Sequence, residues 1–191
     1  MVLEILKIMN YVFSLHRLFY DFLISLEISV FYSKILNFLF LSFVIFLIII
    51  VLNVLSKKSI SHFFNSLAKN TATNLDDYLV ENEAPVYISK LIPVFFLYWI
   101  IPFWFFDFEI FVSYVFMALE IYIVFLSVWI VRSLLRSIKS FLKTVDSLKD
   151  KPIESFIQIL LILIWFLAIL NIFSIVTGKE ITTFFDSDGG S

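Results

Sequence analysis

The chain has 191 residues and a net charge of −2; 61% of its residues are hydrophobic and only 16% are charged. Soluble domains average roughly 45–50% apolar and about 25% charged residues, so a water-facing globule is excluded and lipid must solvate the surplus apolar side chains. The near-neutral charge argues for no nucleic-acid partner, and the lack of cysteine excludes disulfides, thiolate metal sites and cysteine nucleophiles.

Residues 1–30 carry Val12, Leu15, Phe19, Phe22, Leu26 and Val30 at spacings of three and four, with His16, Arg17, Asp21 and Glu27 mostly off that stripe. The pattern predicts an amphipathic helix lying in the membrane interface or packed on the other helices. A cleaved signal peptide fits less well, because Met1-Val2-Leu3-Glu4 lacks a basic n-region and no small-residue cleavage site precedes the first long apolar run.

Four such runs follow, at about 35–55, 86–106, 110–131 and 153–177. Each is long enough for a helix to cross a hydrocarbon core of about 30 Å. Barrel strands would be about 10 residues with strict alternation, whereas these runs are continuous. The expected fold class is therefore all-α, a polytopic helical bundle of four transmembrane helices over residues 31–177, with an N-terminal amphipathic helix. Residues 178–191 read as a polar tail or truncation point.

Between the first two spans, Thr73 and Asp76 have capping-box spacing, which predicts a helix starting near Asn74 and kinked at Pro85. Asp107-Phe108-Glu109 forms a tight turn between spans two and three. Arg132, Arg136, Lys139 and Lys143 lie at helical spacing, so span three is expected to continue as a basic helix end that meets anionic lipid headgroups. Pro152 suits the first turn of span four. Ten of the 14 basic residues fall in the two longer connections or at Lys90, and the rest are Lys7, Arg17, Lys34 and Lys179. The positive-inside rule then places both connections in the cytoplasm and both termini outside. Tyr32, Tyr98, Trp99 and Trp104 match an interfacial belt, while Trp165 falls mid-span and reads as packing.

Glu120 is the acidic residue deepest in a span. A charged carboxylate is costly to bury in a membrane, which makes it a candidate proton or cation site. The other reading starts span three later, near Val115, and leaves Glu120 near the headgroups. Asn171 is a possible hydrogen-bond partner, and Asn171, Gln158 and Ser174 can equally join helices to one another. Asp76 and Asp77 are adjacent and point to different sides of a helix, so helix-start charge explains them better than a metal pair does. His16 and His62 are far apart. No phosphate-binding glycine loop, catalytic triad or zinc spacing occurs, so no enzyme activity, cofactor or metal is expected. The glycines are Gly178, Gly189 and Gly190, and the alanines Ala68, Ala72, Ala84, Ala118 and Ala168. The four spans thus have no small-residue face of the kind tightly packed pore helices use.

The stretch Lys151-Pro152-Ile153-Glu154-Ser155-Phe156-Ile157-Gln158, whose helix ends at Gly178-Lys179, resembles the penultimate span of MscS-like mechanosensitive channels, in particular the five-helix YbdG-type miniconductance branch. Asn74-Leu75-Asp76-Asp77-Tyr78-Leu79-Val80, followed by Leu91-Ile92-Pro93, is similar to a second motif of that branch. Glu154 and Ser155 depart from it, standing where a basic residue and a glycine are usual. The resemblance implies a tension-sensing region of an osmotic-stress channel in a bacterial inner membrane, with periplasmic termini and a homo-oligomeric whole. The family's Gly/Ala-rich pore helix and β-rich vestibule would follow Gly178-Lys179, and Ile181–Phe185 is too short to span, so a sensor truncated before its pore is expected. Two alternatives remain: a small four-helix protein that binds and modulates a membrane partner, with the basic connection from Arg132 to Pro152 as its contact surface, and half of a proton-coupled transporter using Glu120.

Overall fold

The computed structural model describes residues 17–70, 75–145 and 152–178, and every element among them is helical. Helix α1 covers residues 17–25, followed by α2 (Val30–Asn70), α3 (Leu75–Glu81), α4 (Ala84–Ser89) and α5 (Leu91–Trp104). A short 3-10 helix (Phe106–Phe111) leads into α6 (Val112–Thr144), and α7 (Ile153–Thr177) follows. Four helical segments, Val30–Ser66, Ala84–Trp104, Phe106–Thr144 and Ile153–Thr177, are long and apolar enough to cross a membrane. The proposed cap at Thr73, the first half of the N-terminal stripe and the tail after Gly178 lie outside the described residues.

The breaks between helices have local causes. Glu27 adopts a left-handed conformation, φ 61°, which ends α1 and assigns Val30 to the next helix instead of to one amphipathic helix through residue 30. Glu83 does the same, φ 62°, between α3 and α4. Pro85 then occupies the first turn of α4, where its missing N–H has no bond to lose; it starts a helix and does not kink one. Pro93 stands in the first turn of α5 for the same reason, and Pro102 lies two residues before that helix ends at Trp104. Gly178 closes α7 in the left-handed conformation, φ 66°, its N–H donating to the Ser174 carbonyl at 2.9 Å.

The chain divides into two compact units. The first contains residues up to Leu52 together with Phe95–Phe116. Lys34, Phe38 and Ser42 recur every four residues and so share one face of α2. Phe38 packs on Trp104, Phe105 and Phe108, with ring centroids 6.0, 5.2 and 5.2 Å apart. Trp104 Nε1–H donates to Ser42 Oγ at 2.9 Å, and that hydroxyl donates to the Phe38 carbonyl at 2.7 Å. The Lys34 ammonium lies 3.5 Å from the Asp107 carboxylate. A charge, an aromatic ring and a hydroxyl thus follow one another along α2, each facing the Trp104–Phe108 corner. Phe19 of α1 stacks on Phe40 at 4.3 Å, and Leu23, four residues on, is buried. Phe22 and Leu26 of the same predicted stripe are exposed, as apolar side chains facing lipid would be.

The second unit contains Asn53–Val94 and Met117–Ser191. Ser133 and Ser137, four residues apart on α6, fasten the end of α3. Ser133 Oγ donates to the Asn82 carbonyl at 2.6 Å, and Ser137 Oγ lies 2.9 Å from the Tyr78 carbonyl. Both serines are almost fully buried, where a small hydroxyl allows close approach. Leu126, Val128, Ile157 and Ala168 are buried apolar residues of α6 and α7, and Trp165 touches Phe125 at 6.2 Å while remaining partly exposed.

Candidate functional sites

Two cavities of the second unit collect the polar residues that the sequence singles out. In the larger, of about 530 Å³, Glu120 and Ser127 of α6 meet Asn171 of α7 among Val124, Leu167 and Ile175. Glu120 and Ser127 are seven residues apart, two helical turns, and therefore point the same way. Ser127 is satisfied by its own helix, donating to the Ile123 carbonyl at 2.8 Å. Glu120 and Asn171 are both exposed at the cavity, and no hydrogen bond joins them among the described residues. Glu120 lies eight residues inside the start of α6, about 12 Å of helix rise, and Asn171 six residues before the end of α7, about 9 Å. In a core of about 30 Å that begins at those helix ends, both lie inside the hydrocarbon, Glu120 about 3 Å and Asn171 about 6 Å short of the midplane. Gln158 is exposed near the opposite end of α7 and does not line this cavity.

The smaller cavity, of about 270 Å³, is bounded by Glu81, Glu83, Tyr87, Trp129, Arg132 and Arg136, with Asn82 and Ser133 completing it. It forms where two apolar segments end. Glu83 immediately precedes the Ala84–Trp104 segment, and Arg132 follows the apolar part of α6. The serine contacts from α6 to Asn82 and Tyr78 hold those two ends together. Glu83 Oε2 accepts a long bond, 3.5 Å, from the Tyr87 hydroxyl. Among the described residues, no ion pair joins the two guanidinium groups to the two carboxylates. Lys90 Nζ lies over both aromatic faces, 5.4 Å from the Tyr87 centroid and 5.8 Å from that of Trp129.

The four basic residues of α6 therefore do not form one surface. Arg132 and Arg136 border the cavity, whereas Lys139 and Lys143 each lie 2.7 Å from Glu154 Oε1 in the first turn of α7. The two lysines have a protein carboxylate as partner, which the expectation of lipid contact for all four did not include. In the sequence, Glu154 is visible only as a departure from a motif. Its pairing with residues 11 and 15 positions earlier depends on the end of α6 lying beside the start of α7. Among the described residues no group of three or more His, Asp or Glu side chains is placed to hold a metal ion.

Together these features define a multi-pass membrane protein whose described elements are all helices, with polar residues gathered at two places on α6. Scans against protein-family models, curated proteins and solved structures find no match to this chain.

Proposed function

We propose that the four spans are the tension-sensing membrane region of an MscS-like mechanosensitive channel in a bacterial inner membrane. In this reading the longer connections are cytoplasmic, and the assembled channel is a homo-oligomer. The observation that carries the proposal is the joint occurrence of two motifs, Asn74–Val80 with Leu91-Ile92-Pro93 and Lys151–Gln158 with Gly178-Lys179, at compatible spacing. A second feature supports it. The outward side chains of α2 and α7 are bulky and apolar, among them Phe43, Phe46, Ile159, Ile162 and Phe166. Such faces suit lipid, and the spans lack the small-residue faces that close pore packing uses. A region of this kind responds to tension if its lipid-exposed area differs between two states.

The test is to reconstitute the full chain with a spin label at Ile162, 69% exposed, and to measure accessibility to lipid-soluble oxygen. Asymmetric insertion of a lysolipid or an osmotic downshift is expected to change that accessibility, with no current in a patch from the same vesicles. Unchanged accessibility under both treatments removes the sensor reading, and tension-gated current removes its non-conducting part.

The alternative, a small membrane protein that binds and modulates a partner, draws on the Glu120–Asn171 cavity. Two exposed polar side chains in the membrane are costly when they face lipid, and a helix bearing a hydrogen-bond donor would relieve them. Crosslinking from a Val124 position to another protein, lost on replacing Glu120 by Gln, is the result that favours it.

A further inference from the structure

The smaller cavity of the second unit carries opposite charges that do not neutralise one another. Arg132 and Arg136 are four residues apart and so are neighbours on one face of α6. Glu81 and Glu83 border the same space. Guanidinium pairs bind phosphate oxygens in planar, bidentate fashion. Carboxylates only accept hydrogen bonds, and an ammonium only donates them. A ligand that satisfies both pairs at once therefore has a phosphate at one end and a primary amine at the other.

Three further observations narrow the ligand. The cavity lies where the Ala84–Trp104 segment begins and where the apolar run of α6 gives way to Arg132, and Tyr87 and Trp129 are the residue types found at headgroup level. Its volume, about 270 Å³, is below the roughly 300–1,000 Å³ of pockets that enclose drug-sized molecules, so it admits a headgroup and no acyl chain. Finally, the Lys90 ammonium lies over one face of Tyr87 and one of Trp129, and its charge repels a quaternary amine drawn to the same rings. A primary ammonium can instead donate its three N–H groups to the two carboxylates. A purely anionic headgroup would satisfy the arginines and leave Glu81 and Glu83 facing it.

We propose that the cavity formed by Glu81, Glu83, Arg132 and Arg136 is a selective site for a phosphate diester bearing a primary amine, the phosphatidylethanolamine headgroup, in preference to anionic or choline lipids. The phosphate sits between the two guanidinium groups and the ammonium on the two carboxylates. This assignment does not depend on the channel reading.

Native mass spectrometry of the delipidated full chain, titrated with phosphatidylethanolamine, phosphatidylglycerol and phosphatidylcholine, tests the selectivity. The ethanolamine lipid is expected to bind about tenfold more tightly than either of the others, the difference made by one additional charge-assisted hydrogen bond. Replacing both Glu81 and Glu83 by Gln should remove the preference over phosphatidylglycerol or reverse it. The double replacement Arg132→Gln and Arg136→Gln should lower binding of all three. Misfolding would lower binding of every lipid, so a glutamate variant that loses the ethanolamine preference while binding phosphatidylglycerol at least as tightly as the unaltered chain separates the site from a general loss of structure. Soluble glycerophosphoethanolamine identifies the source of the ligand. Failure to displace the lipid assigns the site to the bilayer, and displacement at matched concentration assigns the same chemistry to a soluble compound and overturns the lipid assignment. Equal affinity for phosphatidylglycerol in the unaltered chain, or a glutamate variant with unchanged selectivity, overturns the proposal as a whole.

Discussion

Asn37 provides the sharpest test of the energetics of the first unit. It is 1% exposed, and neither its Oδ1 nor its Nδ2 has a hydrogen-bond partner among the described residues. An amide removed from water without a partner costs about 1–3 kcal/mol on the scale of protein mutational data. Leucine has the same number of side-chain heavy atoms and the same branching but no polar group, and it favours helix by a few tenths of a kcal/mol. Replacing Asn37 by Leu is therefore expected to stabilise the protein by about 1–3 kcal/mol. Asn37→Ala, which removes the amide but leaves a gap, should fall near zero as the two terms offset. The assay is denaturant unfolding in detergent micelles, followed by tryptophan fluorescence. If Asn37 instead served as a hydrogen-bonded link between helices, its loss would destabilise by about 0.6 kcal/mol, the average for such links in membranes. The two accounts thus differ in sign, and a leucine variant that unfolds at lower denaturant refutes the reasoning.

Four other substitutions have defined outcomes. Ser133→Ala removes the side-chain donor to the Asn82 carbonyl and should cost about 1–3 kcal/mol; Ser137→Ala should cost less, because the Tyr78 carbonyl still accepts from the Asn82 backbone and side-chain amides at 3.0 and 2.9 Å. The same unfolding assay ranks the two. Gly178→Ala meets no atom within 4 Å but keeps φ at 66°, so the change should cost about 1 kcal/mol of backbone strain alone and show as faster amide exchange at residue 178. Glu154→Gln removes the charge shared by Lys139 and Lys143, and faster tryptic cleavage at those two lysines is the expected readout, with an unchanged rate counting against a role for the pairing in holding α6 to α7.

Much of the fold is legible in the sequence because hydrophobic length is a local property. Any 20-residue apolar run must place its backbone polar groups in a helix if it crosses lipid, so the four spans can be counted without tertiary knowledge. The helix stop at Gly178 and the basic extension of α6 to Thr144 are local as well. Pro85 starts a helix where its sequence context suggests a kink, because its effect depends on Glu83, whose left-handed conformation sets the register in which the proline falls. The sites are less legible. Glu120 and Asn171 stand out as polar residues in apolar runs, and that is a sequence signal. Glu81 and Glu83 do not, since acidic residues in a connection are ordinary.

Sequence alone therefore determined that this is an all-helical membrane protein with four spans, because exposing apolar surface to water, or unpaired backbone to lipid, is unfavourable at each residue along the chain. Only the tertiary structure decided how its charges divide. It placed Lys139 and Lys143 on a carboxylate of α7, set Arg132 and Arg136 beside Glu81 and Glu83, and left the Asn37 side chain buried with no hydrogen bond among the described residues. Those outcomes depend on which helix faces meet, and meeting is a property of packed side chains far apart in sequence.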